Sequence, residues 1–257
     1  MKIETLAQDL GFPEGPAFHP DGTLWFVDLQ ARSLVRWDGE VTHYPAQGVP
    51  NGAAFDHAGR LWFCDAEKNA VRRFEPVTQA WETVVDTLGG APLNSPNDLA
   101  FDALGNLIFT CPGDSEREPV GYLCCLTPTG GVTRIAEGLF FPNGLALVDE
   151  GRSLVVAETH RHRLWKGTWD AEARRWLEPK PWAEVGGPVG PDGMALGADG
   201  RLYVAVFGSG RIKAVNARGE VSATFELPGM NPTNAAFDPS GQLGLVVTET
   251  ERKEIPS

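Results

Sequence analysis

The sequence predicts an all-β protein, a six-bladed β-propeller forming a single domain over residues 1–257. Two observations lead there: a segment that recurs six times at blade-length spacing, and short β-rich runs punctuated by turn residues along the whole chain. Thirty Gly and 20 Pro are spread evenly and separate runs of Val, Leu, Phe, Trp and Thr. The segment EGPAFHPDGTLWFVD at Glu14 returns as NGAAFDHAGRLWFCD at Asn51 and NDLAFDALGNLIFTC at Asn97. It recurs as NGLALVDEGRSLVVAE at Asn143, DGMALGADGRLYVAV at Asp192 and TNAAFDPSGQLGLVV at Thr233. The spacings of 37, 46, 46, 49 and 41 residues are those of a four-stranded blade. A solenoid of the same period is the alternative, but the repeats show no helical pattern.

In the first unit, GPAFH reads as the innermost strand, TLWFVD as the second, SLVRWD as the third and EVTHYP as the outermost, with Asp-Gly turns between. Later third strands are AVRRF, YLCCL, RLWKG and RIKAV, followed by outer strands such as WETVVD, GVTRIAE and EVSATFEL. The last unit has 25 residues from Thr233, enough for two strands and a short third near RKEI at 252–255. KIETLA at 2–7 belongs to no repeat. It is expected to supply the missing strand of the sixth blade and close the ring without an open edge.

The chain carries 22 Lys and Arg against 34 Asp and Glu, a net charge of −12. That balance disfavours nucleic-acid binding, which rests on neutralising phosphates. No stretch approaches the roughly 18 apolar residues of a membrane span, and Glu4 and Asp9 interrupt the N-terminal region where a secretion signal would be apolar. The expectation is a cytoplasmic monomer without membrane partners, whose partner is a small-molecule lactone substrate. Cys64, Cys111, Cys124 and Cys125 show no metal-ligand spacing and read as buried free thiols.

Because the first strand of a blade lies innermost, the residue opening each repeat faces one end of the central channel. The column reads Glu14, Asn51, Asn97, Asn143, Asp192, Thr233: every member carries an oxygen donor and none a positive charge. Turn preference accounts for Asn51 and Thr233 but not for Glu14. Two carboxylates in a buried ring need a cation or protons to offset their repulsion and desolvation. Carboxylates and amide carbonyls suit Ca²⁺ better than Zn²⁺, with Mg²⁺ and Mn²⁺ remaining as alternatives.

Together EGP at Glu14, PND at 96–98, PNG at 142–144, PDGM at 191–194 and VAVFGSGRI from Val204 make the chain resemble the regucalcin/gluconolactonase family of six-bladed propellers. That family includes senescence marker protein and luciferin-regenerating enzyme, and diisopropyl fluorophosphatase is a more distant relative. The resemblance covers essentially the whole chain. It implies one divalent metal, Ca²⁺ first and Mg²⁺, Mn²⁺ or Zn²⁺ otherwise, bound by Glu14, Asn143 and Asp192. Asn97 matches a position that binds the metal or contacts substrate. Animal members of the family carry Arg two places before that Asn where this chain has Ser95, and the PND pattern is similar to that of bacterial sugar lactonases.

The implied chemistry is lactone hydrolysis, in which a metal polarises the ring carbonyl and a carboxylate takes a proton from water. Following the resemblance, Asp192 is the expected catalytic base, Glu14 the second candidate, and Asn97 and Ser95 orient substrate. The second-to-third-strand loops are expected to wall the pocket, with Cys111 to Gly121 as lid. His160 either reaches the pocket mouth or sits in a surface turn. The eight Trp read mainly as blade packing. HExxH, phosphate-loop and GxSxG motifs are absent. The competing functions are a calcium- or ligand-binding propeller without turnover and a phosphotriesterase-like hydrolase.

Overall fold

Residues 2–251 are described by the computed structural model. Five antiparallel four-stranded sheets follow one another along the chain, each laid out in sequence order from the channel outward. The first blade is Pro13–Phe18, Leu24–Asp28, Ser33–Trp37 and Val41–Pro45; the second is Pro50–Phe55, Leu61–Asp65, Ala70–Glu75 and Ala80–Val85. The third is Leu99–Phe101, Leu107–Cys111, Gly121–Leu126 and Val132–Leu139; the fourth is Pro142–Val148, Ser153–Glu158, Arg163–Asp170 and Arg175–Glu184. The fifth is Gly190–Leu196, Leu202–Phe207, Arg211–Val215 and Val221–Glu226. A small ribbon, Thr87–Leu88 with Ala91–Pro92, precedes the third blade. Among the described residues the one helical element is the 3₁₀ turn Thr159–Arg161, and no helix is long and apolar enough to cross a membrane.

The expected count of six blades is corrected to five. The sixth repeat supplies a two-stranded hairpin, Asn231–Phe237 with Leu245–Thr250. Residues 2–12 form no strand, so KIETLA does not complete a blade. A strand needs a neighbouring edge to pair with, and between the hairpin and this segment no third strand intervenes. The segment is held instead by apolar packing of Leu6 and Leu10 and by Trp37 Nε1, which donates to the Leu6 carbonyl at 3.1 Å. The strand expected near RKEI lies outside the described residues.

The innermost strands nevertheless encircle one axis. The hairpin is fastened to the first blade by Thr233 Oγ1 donating to the Pro13 carbonyl at 2.7 Å and Thr250 Oγ1 donating to the Gly11 carbonyl at 3.2 Å. Each inner strand opens on a proline: Pro13, Pro50, Pro96, Pro142, Pro191 and Pro232. Lacking an N–H, proline suits the start of a strand. In the five inner strands other than the third, the pairing register shifts just after it, leaving one extra residue on the inner strand. Such a bulge bends the strand and re-aims side chains that a regular strand would place on a sheet face.

Apolar clusters fill the seams between blades. Leu107, Phe109 and Cys111 face the second blade from the third, while Ile108 faces the fourth. Because second strands are covered on both faces, they read as nearly continuous apolar runs. All four cysteines are buried free thiols. Tryptophans work in these seams with their N–H groups satisfied, Trp62 by Asp56 and Trp169 by Asp102. Phe109 is fully buried in the seam between the second and third blades. Phe109→Ala is therefore expected to lower unfolding free energy by about 3–5 kcal/mol in denaturant titration, the range for emptying a large aromatic site.

Candidate active site

The inner-strand bulges deliver the predicted column to the channel. Glu14, Asn51, Asn97, Asn143, Asp192 and Thr233 are all buried, and strand pairing sets the loops between second and third strands around the same end. Pro13 pairs with Asp28, Pro50 with Asp65, Pro142 with Glu158 and Gly190 with Phe207. Thr233 is spent on closing the ring through its bond to Pro13.

Two residues absent from the sequence-derived list complete the channel. In four repeats the position after the column residue is Gly (15, 52, 144, 193), but in the third and sixth it is Asp98 and Asn234. The glycines are needed for close approach: a Cβ at Gly193 would collide with the Asn234 amide, and one at Gly52 with the Asp98 carboxylate. Asp98 and Asn234 thus occupy space the neighbouring strands leave open. Asn234 Nδ2 donates to Glu14 Oε2 at 2.9 Å and to Asp98 Oδ2 at 3.4 Å, joining two carboxylates from different blades. The break in the glycine column was the signal that pointed to both.

Three carboxylates therefore face one another: Glu14, Asp98 and Asp192, each less than a tenth exposed. Burial, then repulsion from Asp98, pushes Glu14 up to about 8, against the donors Asn234 and Gly15. Burial raises Asp98 to about 6, held back by the Leu99 and Leu145 N–H groups and Asn234. Asp192 lies well above the ordinary carboxylate range through burial, then through Glu14 and Asp98, although Asn143 donates to it. No basic side chain appears among the groups setting these charges.

Other buried acids are structural by contrast. Asp28 accepts from the Gly11, Phe12 and Ala31 N–H groups; Asp65 from Val49, Lys68 and Arg72; Glu158 from Phe140, Arg163 and Trp165. These pin the loops at the channel end. Acids already satisfied by donors have no need of a cation, whereas the channel trio does.

Ser95 and Phe141, each immediately before the proline of its repeat, hold positive φ angles of 47° and 55°. Non-glycine residues rarely adopt this conformation, and such strain clusters at functional sites. Ser95 is half-buried, its N–H donating to Asn69 Oδ1 at 2.8 Å. Asn231, at the same place in the sixth repeat, is buried with its Oδ1 unpartnered. His160 packs edge-on to Phe141 at 5.0 Å, and burial lowers its pKa. The Cys111 to Gly121 connection is anchored by the Phe141 N–H donating to Ser115 Oγ at 2.8 Å.

Residues 12–251 match a sequence model of the SMP-30/gluconolactonase/LRE-like region. The chain belongs to that family. It is 29% identical to a gluconolactonase of Zymomonas mobilis over 93% of this chain and 77% of that protein. It is 31% identical to diisopropyl-fluorophosphatase of Loligo vulgaris over 65% of this chain, a match that spans 57% of the longer relative. Among solved structures, a gluconolactonase of Xanthomonas campestris superposes with a TM-score of 0.86 at 27% identity, covering 96% of this chain and 86% of that one.

Among the described residues no three His, Cys, Asp or Glu side chains are gathered as a metal cluster, so the fit of a metal rests on donor chemistry. Buried, mutually repelling carboxylates interleaved with amide oxygens fit a hard divalent cation. Without one, the folded state holds protons on Glu14, Asp98 and Asp192 that the unfolded chain releases at ordinary carboxylate pH. Stability is then expected to fall as pH rises from about 4.5 to about 8. Thermal melts in chelator across that window should show the decline, and excess Ca²⁺ should flatten it; a slope identical with and without cation would contradict this reading.

Proposed function

We propose that the protein is a hydrolase that opens sugar-type lactones, dependent on one divalent cation held by Glu14, Asn143 and Asp192 together with Asn97. The observation that carries this is the buried trio of facing carboxylates, uncompensated by any basic side chain, at the channel end of a gluconolactonase-family propeller. Ca²⁺ is the cation of choice for hard, flexible oxygen donors, with Mg²⁺, Mn²⁺ and Zn²⁺ as alternatives. When bound, the cation supplies Lewis-acid polarisation of the ester carbonyl.

The chain's own residues supply the rest. Asp192 acts as the general base, since its environment favours holding a proton and Asn143 fixes the carboxyl orientation. Glu14 is less free for this role: Asn234 and the Gly15 N–H both donate to its Oε2, which suits a fixed ligand. Asn97 and Ser95 orient ring oxygen or hydroxyl groups of the substrate. Ser95 is too short to reproduce the long reach of an arginine, so the substrate is held chiefly by hydrogen bonds near the channel end. The stretch of similarity to diisopropyl-fluorophosphatase supports one second reading, hydrolysis of phosphorus esters as a side activity of the same site.

The test is proton release on a panel of sugar γ- and δ-lactones, corrected for spontaneous opening, with chelated protein and after addition of each cation. Turnover restored by cation and reduced about 10²–10⁴-fold in Asp192→Ala, the span of general-base contributions, is expected. Stoichiometric cation binding with no turnover on any lactone would instead make this a binding propeller.

A further inference from the structure

The unfinished sixth repeat leaves a groove. Its outer strand, Leu245–Thr250, has no neighbouring strand on its far side among the described residues, whereas the second strand of every complete blade pairs with a third. Beside that edge lies a cavity of about 740 Å³ lined by Leu24, Phe26 and Trp37 of the first blade and by Ile212, Phe225 and Leu245 from the other side. The N-terminal segment from Lys2 to Ala7 runs along it.

The size of this space is that of one strand. Sheets allot about 4.8 Å between strands, about 10 Å between faces and about 3.3 Å per residue, or about 160 Å³ for each residue, so the groove holds about five extended residues. In the complete blades the corresponding third strands have five to eight residues, from Ser33–Trp37 to Arg163–Asp170. Their central side chains, Leu34, Val71, Cys124, Leu164 and Ile212, are almost wholly buried. The occupant must therefore be apolar on both faces.

The residues that follow the hairpin have a different character: Glu251, Arg252, Lys253 and Glu254 are four consecutive charges, and Pro256 cannot donate to a ladder. A second copy has no strand of the right kind to lend, because its third strands are paired within their own blades.

We propose that this groove binds one extended strand of a separate polypeptide, about five residues long and apolar on both faces, by strand addition to the Leu245–Thr250 edge. Main-chain pairing gives such complexes their affinity and side-chain pockets their selectivity. With Glu249 on the groove wall and a net charge of −12, basic residues flanking the apolar stretch complete the description of the partner.

A labelled, end-capped peptide with the sequence of residues 210–216, GRIKAVN, has this chemistry. Titrated into the full chain, it should bind saturably at one site by fluorescence anisotropy and slow amide exchange of residues 245–249 at least tenfold, leaving first-blade amides unchanged. The same peptide with proline at the position of Ala214 should bind at least tenfold more weakly. Equal binding of both peptides, or unchanged exchange at 245–249, would overturn the proposal. So would protection already present without peptide, whether lost on deleting residues 252–257, which would name the chain's own residues as occupant, or growing with protein concentration, which would name a second copy.

Discussion

The proline and bulge that open the inner strands govern the rest of the molecule. Proline needs no hydrogen-bond partner where the strand begins, and the extra residue after it turns one side chain off the sheet faces toward the axis. Repeated around a closed ring, that small deviation draws side chains from separate blades into one confined volume. Glycine at the next position lets the strands come close enough for this, as the contacts of Gly52 with Asp98 and Gly193 with Asn234 show. The consequence is electrostatic. A geometry that converges six positions also converges their charges, and Glu14, Asp98 and Asp192 meet where water is scarce.

The molecule buries carboxylates for two purposes, and their partners tell them apart. Asp28, Asp65 and Glu158 accept from backbone amides, and Asp65 and Glu158 also from arginine side chains, so each locks a loop to the strand before it. Removing such an acid strands buried donors. The channel acids instead raise one another's proton affinity, with only Asn234, Asn143 and a few backbone amides offsetting the repulsion. An arrangement that is unfavourable when fully ionised becomes favourable once a cation arrives, so affinity for the cation and instability without it are two views of one interaction.

Much of this could be read from residues alone, because the repeat is a physical register. Aligning six copies on their turn glycines fixed the inner strands and therefore the column from Glu14 to Thr233. Aligning them one position further would have exposed Asp98 and Asn234 as the two places where glycine is replaced. Thr233 was misjudged for the opposite reason: an oxygen-bearing side chain in the column is equally suited to bind a neighbouring carbonyl, and it closes the ring through Pro13. The sixth blade was overcounted because KIETLA has strand-like composition, whereas pairing depends on a free edge at the right distance. Composition shows which segments can be strands, not whether a partner stands beside them.

The incomplete sixth repeat also separates the demands of chemistry from those of packing. Ring closure uses the inner hairpin only: Thr233, Asn234 and Thr250 make the contacts that join it to the first blade. Every group at the channel end sits on an innermost strand or on a loop tied to one. The third and fourth strands of a blade bury apolar surface between neighbours and contribute nothing directly to the channel. Their absence from the hairpin therefore leaves the carboxylate trio assembled while uncovering Leu24, Phe26 and Ile212 on the flanks. A strand added in the groove restores burial on the outside of the ring, and with no charged group of its own near the axis it alters stability far more than the proton affinities of Glu14, Asp98 and Asp192.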